Sequence, residues 1–175
     1  MFRIRYWPFI VIMCFAGASV TAQNTASLTD SQIAHVVYTA EQVDIAAANL
    51  ALKNSSNNAV RAFANATLRD YTAANKTAIS SLAKLNINAQ DNAISQSLAG
   101  AGIEHAQDLS KLSGAAFDKA YAQNELAYHV FVTGALETTL IPSAQNSQVK
   151  SLLQSKLALF ERHQRDAAQL VSRFK

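Results

Sequence analysis

The segment of residues 114–129, GAAFDKAYAQNELAYH, constrains the fold most strongly because its apolar residues recur with the period of an α-helix. At about 100° per residue, Glu125 and His129 fall inside the apolar stripe of this helix. The other members of the stripe are Phe117, Tyr121, Tyr128, Val132, Leu136 and Thr139. A buried carboxylate is costly unless it is paired, hydrogen-bonded or bound to a metal. The segment therefore predicts a helix buried on one side, in which Glu125 needs a partner.

Residues that break helices are scarce along the whole chain, which contains only five glycines and two prolines. No stretch alternates polar and apolar residues over a useful length, so an all-α protein is expected. The periodic stripes predict a helix capped by Thr29 and ending near Lys53, a second from Val60 to Leu85, a weaker third over 91–112, a fourth over about 115–140 and a last one after Ser147.

The connections between these helices predict the topology. Short loops at 54–57 and 143–147 each join two helices into an antiparallel hairpin. Residues 87–113 are long enough to return along the bundle at about 1.5 Å per helical residue, which places the second and fourth helices parallel. The expected fold is a ferritin-like four-helix bundle with one long crossover that carries a fifth, shorter helix.

The first residues, MFRIRYWPFIVIMCFAGASVTAQ, have the pattern of a secretory signal. Arg3 and Arg5 precede a short apolar run, and Val20-Thr21-Ala22 supplies small residues for cleavage. We expect a signal peptide over 1–22, a short tail over 23–28 and a single helical-bundle domain over 29–175. The expected location is the periplasm, and the alternatives are an uncleaved N-terminal anchor or an association with the outer membrane.

The mature chain would have no cysteine, because Cys14 lies in the leader, and thiolate metal sites are therefore excluded. Arg3 and Arg5 account for two of the 15 basic residues, and 12 residues are acidic, which leaves a net charge of +1 after cleavage. Without a basic stripe interleaved with aromatic residues, nucleic acid is not an expected partner. No mature segment is long and apolar enough to span a membrane, and nothing in the sequence indicates a protein partner or self-association.

Four of the predicted helices deliver polar or ionisable side chains to one level of the bundle. Counted from the end that the helices share, this level lies nine to fourteen residues deep and contains Asp44, Tyr71, Glu125, His129 and His163. At about 1.5 Å per residue, the depth range corresponds to a slab less than about 8 Å thick. These five residues are therefore the candidate site.

Two interpretations of this layer stay open. Carboxylates and imidazoles from facing helices suit iron, manganese or zinc, which makes the five residues candidate metal ligands. Alternatively, the layer is a structural network without a cofactor, for example Glu125 paired with His163 and capped by the Tyr71 hydroxyl. The four-residue spacing from Glu125 to His129 differs from the Glu-x-x-His spacing of di-iron bundles, and a second copy is missing, which favours the network.

The remaining ionisable residues do not indicate catalysis. His105 is expected to pack half-buried on the crossover helix. Lys156 shares the core-facing side of the last helix, where its long stem allows the ammonium group to reach solvent, and no role is assigned to it. The sequence has neither a glycine-rich phosphate loop nor a nucleophile–base pair of recognisable spacing. These observations favour a non-enzymatic protein, and no enzymatic activity is assigned.

Several segments of the chain together resemble the bacterial domain-of-unknown-function 4142 family: TDSQIAHVV (29–37), LALKNSSNNAVRAFA (50–64), LSGAAFDKAYAQNELAYH (112–129), TLIPSAQN (139–146) and ERHQRDAAQL (161–170). The resemblance covers nearly all of the expected mature chain, and FDKAY followed by NE and YH is its most specific part. It implies an exported ferritin-like helical bundle, of a kind often labelled periplasmic or outer-membrane, and it does not imply an established activity.

The resemblance also extends to the candidate site. Family positions that are commonly acidic or His are matched here by Asp44, Glu125, His129 and His163. The second helix departs from the family pattern, because Thr67 stands at a Met position and Asp70-Tyr71 stands where Asp-His is expected. A phenol in place of an imidazole removes a nitrogen ligand, so Tyr71 is expected to donate a hydrogen bond or to ligate ferric iron.

We therefore interpret the chain as an exported periplasmic helical bundle that acts as a non-enzymatic binding or envelope-stress module. In this interpretation the buried polar layer is structural. The alternative is a metal-binding ferritin-like protein that uses the layer for metal storage or for redox chemistry.

Overall fold

The computed structural model describes residues 28–174, and every regular element in that range is helical. The elements are α1 (Asp30–Asn54), α2 (Asn58–Lys84), α3 (Ala93–Ser110), α4 (Gly114–Ala135), a π-helical turn (Leu136–Leu140), α5 (Ile141–Ser143) and α6 (Ser147–Ser172). The predicted all-α class is therefore confirmed. The predicted signal peptide and most of the short tail lie outside the described residues. None of the described helices combines the length and the apolar character needed to cross a membrane.

Polar residues at the helix N-termini determine where the helices begin. The Thr29 side chain accepts a hydrogen bond from the Gln32 amide, and the Gln32 side chain accepts one from the Thr29 amide, which confirms the predicted start of α1. Three more of the long helices, α2, α3 and α6, begin after an asparagine whose side chain accepts hydrogen bonds from the first turn: Asn57, Asn92 and Asn146.

Contacts at the two ends of the bundle define the helix directions. The Asp30 carboxylate accepts hydrogen bonds from the Gln145 and Asn146 amides, so α1 and α6 begin at the same end. At the opposite end, the Ser55 hydroxyl donates to the Asp118 carboxylate, which brings the end of α1 to the start of α4. The crossover helix α3 returns along α1. This arrangement is compatible with the expected ferritin-like bundle.

The interior contains two apolar clusters with a polar layer between them. One cluster includes Ile33, Ala40, Val132, Leu153 and Phe160. The other includes Ala48, Val60, Phe117, Ala122, Ala167 and Leu170. Along each of α1, α4 and α6 the chain passes from one cluster to the other, and a buried ionisable residue occupies the change-over: Asp44, Glu125 and His163.

The predicted position of Thr139 in the buried stripe is wrong, because Thr139 is exposed. The cause is the π-helical turn, in which the Ile141 amide donates to the Leu136 carbonyl five residues earlier. A π turn accommodates one residue more than an α turn and shifts the face that follows it. Leu140 takes the buried position instead. Pro142 is the second residue after the turn, and it cannot continue a regular helix without the loss of a hydrogen bond.

Candidate metal centre

Three ionisable side chains converge in the polar layer. Asp44 of α1 and Glu125 and His129 of α4 each offer one ligand atom, and these atoms all lie within 4.8 Å of one another. Glu125 and His129 share a face because residues four apart on a helix project in the same direction. Each of the three residues is at most 1% exposed, so the cluster is separated from bulk water.

The orientation of the His129 ring is set by its own helix. Its Nδ1 lies 2.7 Å from the Glu125 carbonyl oxygen, and because a carbonyl can only accept, Nδ1 carries the proton and donates. Its Nε2 therefore faces the layer, where it lies 3.1 Å from Asp44 Oδ2 and 3.0 Å from the Tyr71 hydroxyl oxygen. Histidine ligands of metals are usually held in this way, by a hydrogen bond from the nitrogen that does not bind the ion.

The carboxylate oxygens of the cluster accept no well-formed hydrogen bond. Both oxygens of Asp44 and Oε2 of Glu125 are buried without one from any residue that the structure describes, although His129 Nε2 lies 3.1 Å from Asp44 Oδ2. Buried polar atoms are nearly always satisfied, so such oxygens require a cation or a proton. The separations of 3.0 and 3.1 Å around His129 Nε2 are those of hydrogen bonds, and they also equal the spacing of donors at right angles around an ion about 2.1 Å from each. The residues therefore fit a metal ion.

The electrostatics of the cluster also favour the uptake of a proton or an ion. Burial, together with the nearby Asp44 charge, raises the pKa of Glu125 well above its usual range. Burial opposes ionisation of Asp44 as well, but the adjacent His129 imidazole outweighs it and lowers the Asp44 pKa. For the same reason, the Asp44 carboxylate overcomes the effect of burial and raises the pKa of His129. In the absence of an ion, the cluster holds protons that a bound ion would displace.

Tyr71 lies beside the cluster on α2. Its ring is fully buried and lies 4.9 Å from the Phe160 ring and 5.0 Å from the His163 ring, measured between ring centres. Burial and the Asp44 charge raise the pKa of Tyr71 well above 10, so its phenol stays protonated unless a cation compensates the phenolate. Its hydroxyl oxygen points to the same atom, His129 Nε2, that faces Asp44.

His163 belongs to the layer but not to the cluster. Its ring centre is 5.8 Å from that of His129, and its Nε2 lies 3.2 Å from Asp70 Oδ2. The suggested pairing of Glu125 with His163 is therefore wrong. The ring is turned towards α2, where Asp70 also accepts hydrogen bonds from Arg69 and Arg162 near the surface. Burial and the neighbouring His129 lower the pKa of His163.

The residues of this layer lie in a part of the chain that matches a known protein family. A family model described as "Domain of unknown function (DUF4142)" matches residues 16–170. The chain belongs to the DUF4142 family. The suspected membership is thus confirmed over a range that includes all the candidate site residues. No curated protein and no solved structure gave a significant match.

A second buried charged pair in this DUF4142 protein was not predicted. Lys156 of α6 donates to both carboxylate oxygens of Glu41 on α1, at 2.6 and 2.8 Å, and the two residues are 4% and 0% exposed. The Lys156 ammonium group does not use its long stem to reach solvent, because Glu41 lies opposite it inside the bundle. The sequence carried a signal for this pair, since Glu41 follows Val37 by four residues in the apolar stripe of α1.

Burial shifts the pKa values of both members of the Glu41–Lys156 pair. Burial raises the pKa of Glu41 from its ordinary 4.5 to about 7, although Lys156 acts in the opposite direction. Burial likewise lowers the pKa of Lys156. Both shifts show that the protein interior disfavours these charges, and that each ion depends on the other.

Proposed function

We propose that this DUF4142 protein is an exported helical bundle that binds one transition-metal ion through Asp44, Glu125 and His129. The observation that carries the proposal is the buried convergence of two carboxylates and an imidazole nitrogen, in which three carboxylate oxygens accept no well-formed hydrogen bond from a described residue. Export is supported by the arginines, the short apolar run and the small residues of the leader over 1–22.

The donor atoms indicate which ions the site would bind. Two carboxylates and one imidazole suit iron, manganese or zinc better than the soft ions that prefer thiolates. The phenol of Tyr71 supplies a further oxygen from α2, and its distance of 3.0 Å from His129 Nε2 matches that of neighbouring donors around one ion. We infer that His163 supports the layer from outside the ligand set, because its Nε2 faces Asp70.

A structural network without an ion is the second candidate, and the pKa shifts favour it. A protonated Glu125, an ionised Asp44 and a charged His129 would together neutralise the layer. In that case the layer would fix the relative positions of α1, α2 and α4, as the interpretation of a non-enzymatic module requires. The two candidates differ in one measurable property, which is the metal content.

We expect the purified mature protein, reconstituted with iron, manganese or zinc and then desalted, to retain about one ion per chain. His129→Ala removes the nitrogen ligand and is expected to retain less than about a tenth of an ion. His35→Ala is the matched control, since His35 lies elsewhere on α1, half-buried beside Asp91. Elemental analysis provides the readout. A parent protein that retains no ion would refute metal binding and leave the structural network.

A second prediction concerns Tyr71. If its phenolate ligates ferric iron, the iron-loaded protein absorbs visible light through a phenolate-to-iron charge-transfer band. We expect Tyr71→Phe to lose this band while it still binds iron. Tyr121→Phe is the matched control, because the Tyr121 hydroxyl is likewise buried but, unlike that of Tyr71, has no hydrogen-bond partner among the described residues. A band that survives in Tyr71→Phe would remove Tyr71 from the ligand set.

A further inference from the structure

A cavity of about 250 Å³ lies between α1, α3 and α4. Its walls are built from short side chains on the two facing helices, among them Ala46 and Ala47 of α1 and Ala99 and Ala106 of α3. The crossover helix α3 is held close to α1 at Gly102, where an added Cβ would lie 2.8 Å from both methyl groups of Val43. Because α3 approaches α1 at Gly102 and carries small residues around it, the space between the helices stays open.

The cavity borders the candidate metal centre on one side. Asp44 and Glu125 line its wall, whereas His129 and Tyr71 do not. An ion held by the two carboxylates would therefore lie between the imidazole and phenol on one side and the cavity on the other. Three or four protein donors leave coordination positions open on such an ion. The open positions would face the cavity.

We propose that this cavity binds a small, uncharged molecule whose donor atom coordinates the metal ion directly. The inference rests on the proposed metal binding and adds an external ligand to it. A divalent ion, two carboxylates and a neutral imidazole have no net charge together, and no lysine or arginine lines the cavity among the residues that the structure describes. An anionic ligand would thus gain no ion pair beyond the metal to offset the loss of its hydration on burial. A neutral ligand does not carry this cost of burying a charge.

The volume and the lining limit the size and polarity of this ligand. Ligand pockets usually begin at about 300 Å³, so 250 Å³ accommodates only a small molecule. The side chains of Gln42, Asn124 and His105 supply polar groups around the cavity, while Ile103 and Leu109 supply apolar contacts. A compact molecule with one lone-pair donor and an apolar or aromatic body fits this combination.

The proposal is tested with the cobalt-loaded protein, because the visible spectrum of Co²⁺ changes when a new ligand binds. We expect neutral imidazole to bind one per cobalt and acetate, of similar size but anionic, to bind at least tenfold more weakly. Gel filtration after each titration confirms that cobalt stays in the protein. A protein that binds no cobalt refutes the proposed metal site itself, and the inference falls with it. A protein that binds cobalt but gives no spectral change with imidazole refutes only the external ligand.

Variants of the α3 wall supply the structural test. Ala106→Leu fills the cavity, and Ala99→Leu, two helical turns away on the same face, fills its other end. We expect each to weaken imidazole binding at least tenfold without a change in cobalt content. Ala93→Leu is the matched control, since Ala93 is exposed at the start of α3 outside the cavity, and it should stay within twofold of the parent. Unchanged imidazole affinity in both filled variants, or equal affinity for acetate and imidazole in the parent, would overturn the proposal.

Discussion

Replacing Asp44 with asparagine is expected to abolish the stabilisation that a bound metal ion gives to this protein. A ligand at a thousand times its dissociation constant stabilises the folded state by about 4 kcal/mol. For a chain of this size, that corresponds to a rise of roughly 10 °C in the melting temperature. Asparagine keeps the size of Asp44 but removes the negative charge and replaces one carboxylate oxygen with an NH₂ group, which does not bind a metal ion. We therefore expect a rise of less than about 2 °C in the variant.

The measurement compares thermal unfolding, followed by helical circular dichroism, with saturating metal and with chelator. Asp70→Asn is the matched control, because Asp70 lies on α2 outside the cluster and contacts His163, Arg69 and Arg162 instead. Asp70→Asn should melt at a lower temperature than the parent both with metal and with chelator. The rise in melting temperature that the metal causes should stay the same as in the parent. The assignment of Asp44 as a ligand is contradicted if Asp44→Asn melts with the same metal dependence as the parent.

The level of the polar layer could be predicted because helices have a uniform rise. Counting residues from the shared end placed Asp44, Tyr71, Glu125, His129 and His163 at one depth, and the structure brings all five to the boundary between the two apolar clusters. Such counting needs only the helix boundaries and the helix directions. The capping residues and the short loops supplied both.

The pairing inside the layer could not be predicted, because it depends on side-chain torsions. The Nδ1 of His129 bonds to the carbonyl of its own helix, which turns Nε2 towards Asp44 and Tyr71. His163 instead turns towards Asp70, a residue that face counting does not place in the core. Sequence periodicity gives the direction of a Cβ atom and leaves the choice of rotamer open.

The position of Thr139 shows a second limit of predicting buried helix faces from the sequence. Face counting assumes a constant angle per residue, and the π-helical turn at Leu136–Leu140 breaks that assumption. Val132 before the turn and Leu136 at its first position are buried as predicted, whereas Thr139 later in the turn is exposed. Pro142 indicates that the regular α-helix is interrupted nearby, but it does not reveal which turn widens into a π-helical turn.

Replacing Lys156 with methionine is expected to destabilise the protein by about 3–5 kcal/mol near pH 8, since it leaves the Glu41 carboxylate buried without its cation. Guanidinium unfolding at fixed pH provides the measurement. Lys76→Met is the matched control, because Lys76 is exposed on α2, and its effect should stay within about 0.5 kcal/mol. The double variant Glu41→Met/Lys156→Met removes both charges and should recover most of the loss, because paired apolar replacements of buried ions are often neutral or stabilising.

The pH dependence of this loss distinguishes an unpaired charge from a packing defect. The Glu41 pKa is raised from 4.5 to about 7 in the parent, so the folded state binds the proton more tightly than the unfolded chain does. The free energy of unfolding therefore falls as the pH rises from 4.5 to 7, and in the parent this fall ends once Glu41 has ionised. Without Lys156 the pKa rises further and the fall continues above pH 7. The deficit of Lys156→Met should thus widen between pH 7 and pH 9, whereas a deficit that is constant with pH would mean that Lys156 contributes only the packing of its stem.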